Sequence, residues 1–193
     1  MRHSFRPSAR PSGFTLVEIL VVVAILALLA GLGNSMIKKG MDNAKKTRAK
    51  ADMTALIGAI KAYKLEYGKL PFATSDYDPT SGDQGEYKCW YDGTRSKTLI
   101  QILSGKSSVN FGGDEPMNPK GVRFLEGGKE DGEFLDPWGN QYVIKMDLND
   151  SGTVEYYTGT ESIGQSVIAI SFGKNKKQED PSLSATDDVF SWK

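Results

Sequence analysis

Few side chains in this chain of 193 residues can do covalent chemistry. It holds one histidine, His3, and one cysteine, Cys89, beside Trp90. A thiol or hydroxyl nucleophile needs a base within hydrogen-bond reach, and Cys89 has no histidine to activate it. A lone cysteine forms no intrachain disulfide, and one cysteine with one histidine leaves few soft ligands for a structural zinc site. There is no Gly-rich phosphate loop followed by a Lys-Ser or Lys-Thr pair. The carboxylate pairs Asp114-Glu115 and Glu130-Asp131 fall in stretches that read as loops, where solvation is the simpler role. What remains is hard-oxygen chemistry. Asp147, Asn149 and Ser151 occupy positions 1, 3 and 5 of a loop with Gly152 at position 6, as an EF-hand calcium loop would. Position 12, however, is Thr158 rather than a bidentate glutamate, and the run lies between two predicted strands. It reads as a hairpin turn.

One carboxylate is out of place. Residues 14–32 form an apolar run of 19 residues in which only Thr15 and Glu18 are polar. A helix of that length rises about 28 Å, close to the hydrocarbon thickness of a bilayer. A core helix of a soluble protein would show a polar face. A secretory signal peptide would share the preceding Arg2, Arg6 and Arg10, but the run is long for one and Gly33-Asn34-Ser35 is a poor cleavage site. The segment is therefore expected to remain in the mature protein. Glu18 near its start costs a few kcal/mol in a membrane and needs a partner. No Lys or Arg lies between Phe14 and Leu32, so that partner comes from another chain or from processing.

The elements follow from composition and period. Lys and Arg number 24 and Asp and Glu 24, so the formal charge is zero, which argues against a nucleic-acid binder. From Met36 to Gly68 there is no proline, and Met53, Leu56, Ile57, Ile60, Tyr63 and Tyr67 recur at spacings of three and four, predicting an amphipathic continuation of the helix to about residue 67. The aromatic pair Tyr63 and Tyr67 reads as core. Gly31, Gly33 and Asn34 are weak helix formers at the end of the apolar run. Gly68 and Pro71 stop the helix. Beyond it, 74–94 and 104–141 read as long loops around a short apolar helical turn near 98–103. Strands are predicted at 140–146, 153–157 and 166–172, with 149–152 joining the first two as a hairpin.

Three stretches carry a family resemblance. Ser12-Gly13 followed by Phe14-Thr15-Leu16-Val17-Glu18 resembles the N-terminal signal of type IV pilins and type II secretion pseudopilins. Asp136-Pro137-Trp138-Gly139-Asn140-Gln141-Tyr142 resembles an element of the major pseudopilins, with Gln141 where proline is usual. Its physical reading is a tight turn set by Pro137 and Gly139 and pinned to the core by Trp138 and Tyr142. The run from Ile170 to Gly173 and on to Asp187, Asp188 and Trp192 resembles the C-terminal loop of the same subunits. The region 74–135 is longer than that family leads one to expect and carries no motif that can be named.

The resemblance implies an α+β, type IV pilin-like fold: a long N-terminal helix, its first half transmembrane and its second amphipathic, packed on a small antiparallel sheet. The implied divisions are a leader at 1–13, a membrane or filament-core helix at 14–34, an amphipathic half at 35–68 and a periplasmic head at 69–193. A prepilin peptidase would cut between Gly13 and Phe14 and N-methylate Phe14. Glu18 would then pair with the Phe14 amine of a neighbour, fixing the stagger of otherwise slippery helices. Cleavage would also remove His3 and three arginines, leaving 21 basic against 24 acidic residues. The implied partners are further copies in a helical filament, minor pseudopilins, an inner-membrane assembly platform and membrane lipid, with no nucleic acid. The implied location is the inner membrane, single-pass, with a periplasmic filament after assembly. The implied function is structural and not enzymatic: a pseudopilus subunit that helps push proteins across the outer membrane. Asp187, Asp188 and Asn175 would bind Ca²⁺, with Lys174, Lys176 and Lys177 working against it. A type IV pilin for adhesion, motility or DNA uptake remains open, as does a membrane-anchored periplasmic enzyme or binding module. The missing C-terminal cysteine pair counts modestly against the pilin. The lack of a nucleophile–base set counts against the enzyme.

Overall fold

Helix α1 spans Leu16–Tyr67, 52 residues without a proline. The computed structural model describes residues 13–72, 93–111, 115–129, 131–148, 150–156, 161–179 and 186–193, the side chains of 30–37, 93 and 161 excepted. His3, Cys89, Trp90, Asp114, Glu130, Asn149 and Thr158 lie outside the described residues. α1 begins behind Thr15 and ends where Gly68, at φ 69°, donates its N–H to the Lys64 carbonyl at 2.8 Å, a left-handed cap that glycine adopts without a Cβ penalty. The helix passes Gly31 and Gly33 unbroken.

The chain divides into two units between Asn43 and Ala44. In the first, the apolar side chains of α1 from Leu16 to Leu29 are exposed. Among the described residues no helix is long and apolar enough to cross a membrane, so the expected transmembrane half rests on the sequence pattern.

In the second unit the predicted stripe is the core face of α1. Ala49, Met53, Leu56, Ile60 and Tyr63 are fully buried, while Ile57 and Tyr67 are half-buried at its margin. Helix α2, Gly93–Leu103, is longer than the expected turn and buries Leu99, Ile100, Ile102 and Leu103 against that stripe. Asn118 ties the following loop down. Its Nδ2 donates to the Ile102 and Val122 carbonyls, and its Oδ1 accepts from Tyr67 Oη and Val122 N.

The strands are β1 (Val143–Met146), β2 (Val154–Tyr156), β3 (Glu161–Ile163), β4 (Val167–Ser171) and β5 (Val189–Phe190). They form an antiparallel sheet in the order β1-β4-β5 and a separate β2-β3 ribbon. Val143 faces Ile170 across β1 and β4, and Ile170 faces Phe190 across β4 and β5. Alternation sends Ile144, Met146, Val167, Ala169 and Val189 to the helices. It sends Val143, Ile168, Ile170 and Phe190 to a second core with Val154, Tyr156 and Ile163. The expected small antiparallel sheet packed on the helix is therefore present.

The hairpin expected between β1 and β2 is not. β1 pairs with β4, and β2 with β3. Every residue of β1 and β4 is buried, whereas β2 alternates buried, exposed, buried. β1 needs a partner buried on both faces, and β2 cannot supply that with Glu155 outward. The turn itself is real. Asp147 accepts the N–H groups of Ser151 and Gly152 at 3.1 and 2.7 Å, and Lys145 donates to the Glu155 carbonyl, so the chain bends without forming a ladder.

Candidate functional site

Two sets of residues stand out, one in each unit. In the first, Gly13, Phe14 and Thr15 precede α1 and are exposed, and among the described residues nothing lies within 4 Å of where a Gly13 side chain would point. Phe14 is 78% exposed. Glu18 is not isolated. Its Oε2 accepts from Thr15 N at 2.9 Å and Thr15 Oγ1 at 2.7 Å, while Glu18 N donates back to Thr15 Oγ1 at 3.3 Å. This is a capping box, two orphan donors of a helix start satisfied reciprocally. The Thr15-x-x-Glu18 spacing carries that signal in the sequence.

In the head, the Asp136–Tyr142 turn is built around its first residue more than around Pro137. Asp136 is 4% exposed. Its Oδ1 accepts from Trp138 N at 2.9 Å and Asn140 N at 2.7 Å, and its Oδ2 from Ser171 Oγ at 2.5 Å and Asn140 Nδ2 at 3.2 Å. Four donors keep a buried carboxylate comfortable without a cation. Gly139 takes φ 85°, and Tyr142 is buried with its hydroxyl donating to Asp52 on α1 at 3.1 Å. Trp138 packs half-buried on the core. Burial, reinforced by the Asp52 charge, pushes the Tyr142 hydroxyl far above its usual range. The Tyr63 hydroxyl, donating to the Met117 carbonyl at 2.6 Å, is pushed up to about 12 by burial.

The C-terminal loop brings Asp187 and Asp188 together with Glu179, one carboxylate oxygen from each lying within 4.8 Å of the others. Asp187 Oδ2 accepts from Lys174 N at 2.7 Å and Asn175 N at 2.9 Å. Asp188 Oδ2 accepts from Glu179 N at 2.9 Å, and Glu179 Oε2 from Asp187 N at 3.0 Å. The remaining oxygens, Asp187 Oδ1 and Asp188 Oδ1, are buried with no hydrogen-bond partner among the described residues, and Asp188 is 6% exposed. Burial raises the Asp188 carboxyl to about 6, with the Glu179 and Asp187 charges adding to it and the Glu179 N–H opposing. Buried carboxylates left unpaired beside like charges are expensive unless a cation joins them. The donor set is entirely hard oxygen, which suits Ca²⁺ rather than a softer metal.

Asn175 lies beside this cluster in a different role from that expected. Its Oδ1 accepts from Lys177 N at 2.8 Å, and its Nδ2 holds Glu179 Oε1 at 2.8 Å. Glu179 has no counterpart in the sequence reading, because it follows Lys174, Lys176 and Lys177 in a stretch that looks solvated. Among the described residues the EF-hand-like run offers no comparable cluster, and both Asp147 oxygens are engaged by its own turn.

A family model described as the prokaryotic N-terminal methylation motif matches residues 9–33. The chain is 49% identical over 131 residues to a type II secretion system core protein G of Pseudomonas aeruginosa, covering 68% of this chain and 70% of that one. It is 36% identical over 139 residues to the core protein G of Escherichia coli, covering 72% and 74%. With that of Vibrio cholerae the identity is 29% over 149 residues, covering 77% and 80%.

Proposed function

The chain belongs to the type II secretion system core protein G family, and from that premise we propose how it works as a subunit of the pseudopilus. The observation that carries the reading is one chain that both matches the methylation motif at 9–33 and is 49% identical over 131 residues to a core protein G. Its role is structural. The subunit is stored in the inner membrane by its apolar run, with the head in the periplasm, and assembles with further copies into a filament that pushes proteins outward.

Processing starts at Gly13. A peptidase needs the scissile bond extended and open, and the exposed, non-helical stretch from Gly13 to Thr15 supports cleavage there. Cleavage frees the Phe14 α-amine, cationic near neutral pH. In the unassembled chain the Thr15 cap holds the Glu18 carboxylate. In the filament the Phe14 amine of a neighbour supplies a full opposite charge, and in a low-dielectric core that pairing sets the stagger between helices. The exposed apolar side chains of residues 16–29 pack in lipid or against other copies.

The head holds Ca²⁺ through Glu179, Asp187 and Asp188. A bound Ca²⁺ adds to the positive charge that Lys46 already brings to Asp188 and bridges the three converging carboxylates. Asp187 and Asp188 offer their unpaired Oδ1 atoms. Asn175 orients Glu179 from behind.

Deletion of the gene tests the function. Loss of extracellular release of the host's type II substrates, restored by the wild-type chain, is the expected result. Normal release, with loss only of surface adhesion or motility, overturns it in favour of a pilus.

A further inference from the structure

The tight turn after β-bridge residue Leu135 and the cation loop are 33 residues apart in sequence, yet one side chain joins them. Asn140 Nδ2 donates both to Asp136 Oδ2 at 3.2 Å and to the Gly173 carbonyl at 2.8 Å. We propose that Asn140, oriented by Asp136, is a positioning residue for the cation loop, fixing the peptide that aims two backbone N–H groups at Asp187. The inference rests on the calcium reading above.

Gly173 is held at both ends. Its N–H donates to Ser171 Oγ at 3.2 Å, and Ser171 Oγ donates to Asp136 Oδ2 at 2.5 Å. Its carbonyl is held by Asn140. Asp136 therefore governs both contacts, and its own four donors leave it no freedom to turn. Gly173 has φ 58°, and a Cβ there would overlap the Asp187 carbonyl, so the loop passes Asp187 at the closest approach that only glycine allows. The next two N–H groups, of Lys174 and Asn175, both point at Asp187 Oδ2. With Oδ2 occupied, Oδ1 is the oxygen left for a cation.

Without the Asn140 contact, the amides of 174 and 175 lose their anchor. The Asp187 carboxylate can then rotate away from Asp188 and Glu179, as like charges will when nothing holds them together. Asn140 belongs to neither apolar core. Asp136 keeps its three other donors, Trp138 N, Asn140 N and Ser171 Oγ, when the Asn140 amide is lost, so the loss should fall on cation affinity more than on the fold. Residues behind first ligands commonly contribute about 10- to 100-fold to metal affinity.

The test is calorimetric titration of CaCl₂ into the full chain in detergent, with melting in EDTA beside it. Asn140→Ala should weaken calcium binding at least about tenfold while its melting in EDTA shifts no more than that of Tyr67→Phe. Tyr67→Phe removes the hydroxyl that donates to Asn118 and should leave calcium affinity unchanged. If Asn140→Ala does not fold, Asn140→Ser, too short to reach Gly173, decides the same question. A variant that folds and binds calcium as the wild type does overturns the positioning role and leaves the calcium reading standing. A wild-type chain that takes up no calcium overturns both.

Discussion

The two units of this chain are incomplete in opposite ways. In the first, α1 exposes apolar side chains from Leu16 to Leu29, while the one carboxylate within that stretch, Glu18, is satisfied three residues away by Thr15. In the second, the apolar side chains are buried in two cores on either side of a sheet, while Asp187 and Asp188 each keep a buried oxygen without a partner. One unit presents apolar side chains and the other presents carboxylate oxygens. On the proposed function, filament assembly and head stability rest on different residues, so each should be open to perturbation without the other.

The largest separation is expected at Glu18. Glu18→Ala removes the charge proposed to take a neighbour's Phe14 amine, and breaking a buried pair typically costs several kcal/mol. Filament yield should fall at least about tenfold by electron microscopy, while membrane fractionation and head melting stay as in the wild type. Filaments at wild-type yield would remove the charge pairing from the account.

The converse perturbation is Asp187→Asn combined with Asp188→Asn, which keeps side-chain size and removes charge. Calcium at a hundred times its Kd should stabilise the wild-type head by about 2.7 kcal/mol and the double variant by almost nothing, measured as the difference in melting with and without EDTA. Equal differences for the two proteins would reject the site.

A smaller effect concerns pH in the metal-free head. The Asp188 carboxyl is raised to about 6 by burial, against an unfolded value near 3.9. Folded protein therefore binds this proton more tightly than unfolded protein. Its contribution to stability is present below about 4 and is lost as pH rises through about 6. In EDTA, the melting temperature at pH 7 relative to pH 4.5 should be less depressed in Asp188→Asn than in the wild type. An identical pH slope in the two proteins would show that Asp188 does not titrate this way.

The contrast between the units also marks what the sequence could convey. Helical period placed Met53, Leu56, Ile60 and Tyr63 on the buried face of α1, and Gly68 at its end, because those signals act within a few residues. The pairing of β1 with β4 was not legible. The turn at 147–152 is locally a hairpin signal, and only burial on both faces of β1 decides against it. The short β3 and β5 strands are too brief to carry a pattern. In the head site, Asp187 and Asp188 were legible as an acidic pair, whereas Glu179 joins them only through loop closure. Asp136 was hidden for a related reason. Its neighbours Pro137 and Gly139 announce the turn, but the Ser171 donor that ties it to β4 comes from the tertiary fold.

The central claim, that this chain is a processed pseudopilus subunit, is tested most directly by the intact mass of protein recovered from cells with an active prepilin peptidase. The account predicts a chain beginning at Phe14 and carrying one N-terminal methyl group. A chain that retains Met1, or begins anywhere beyond Glu18, would contradict it.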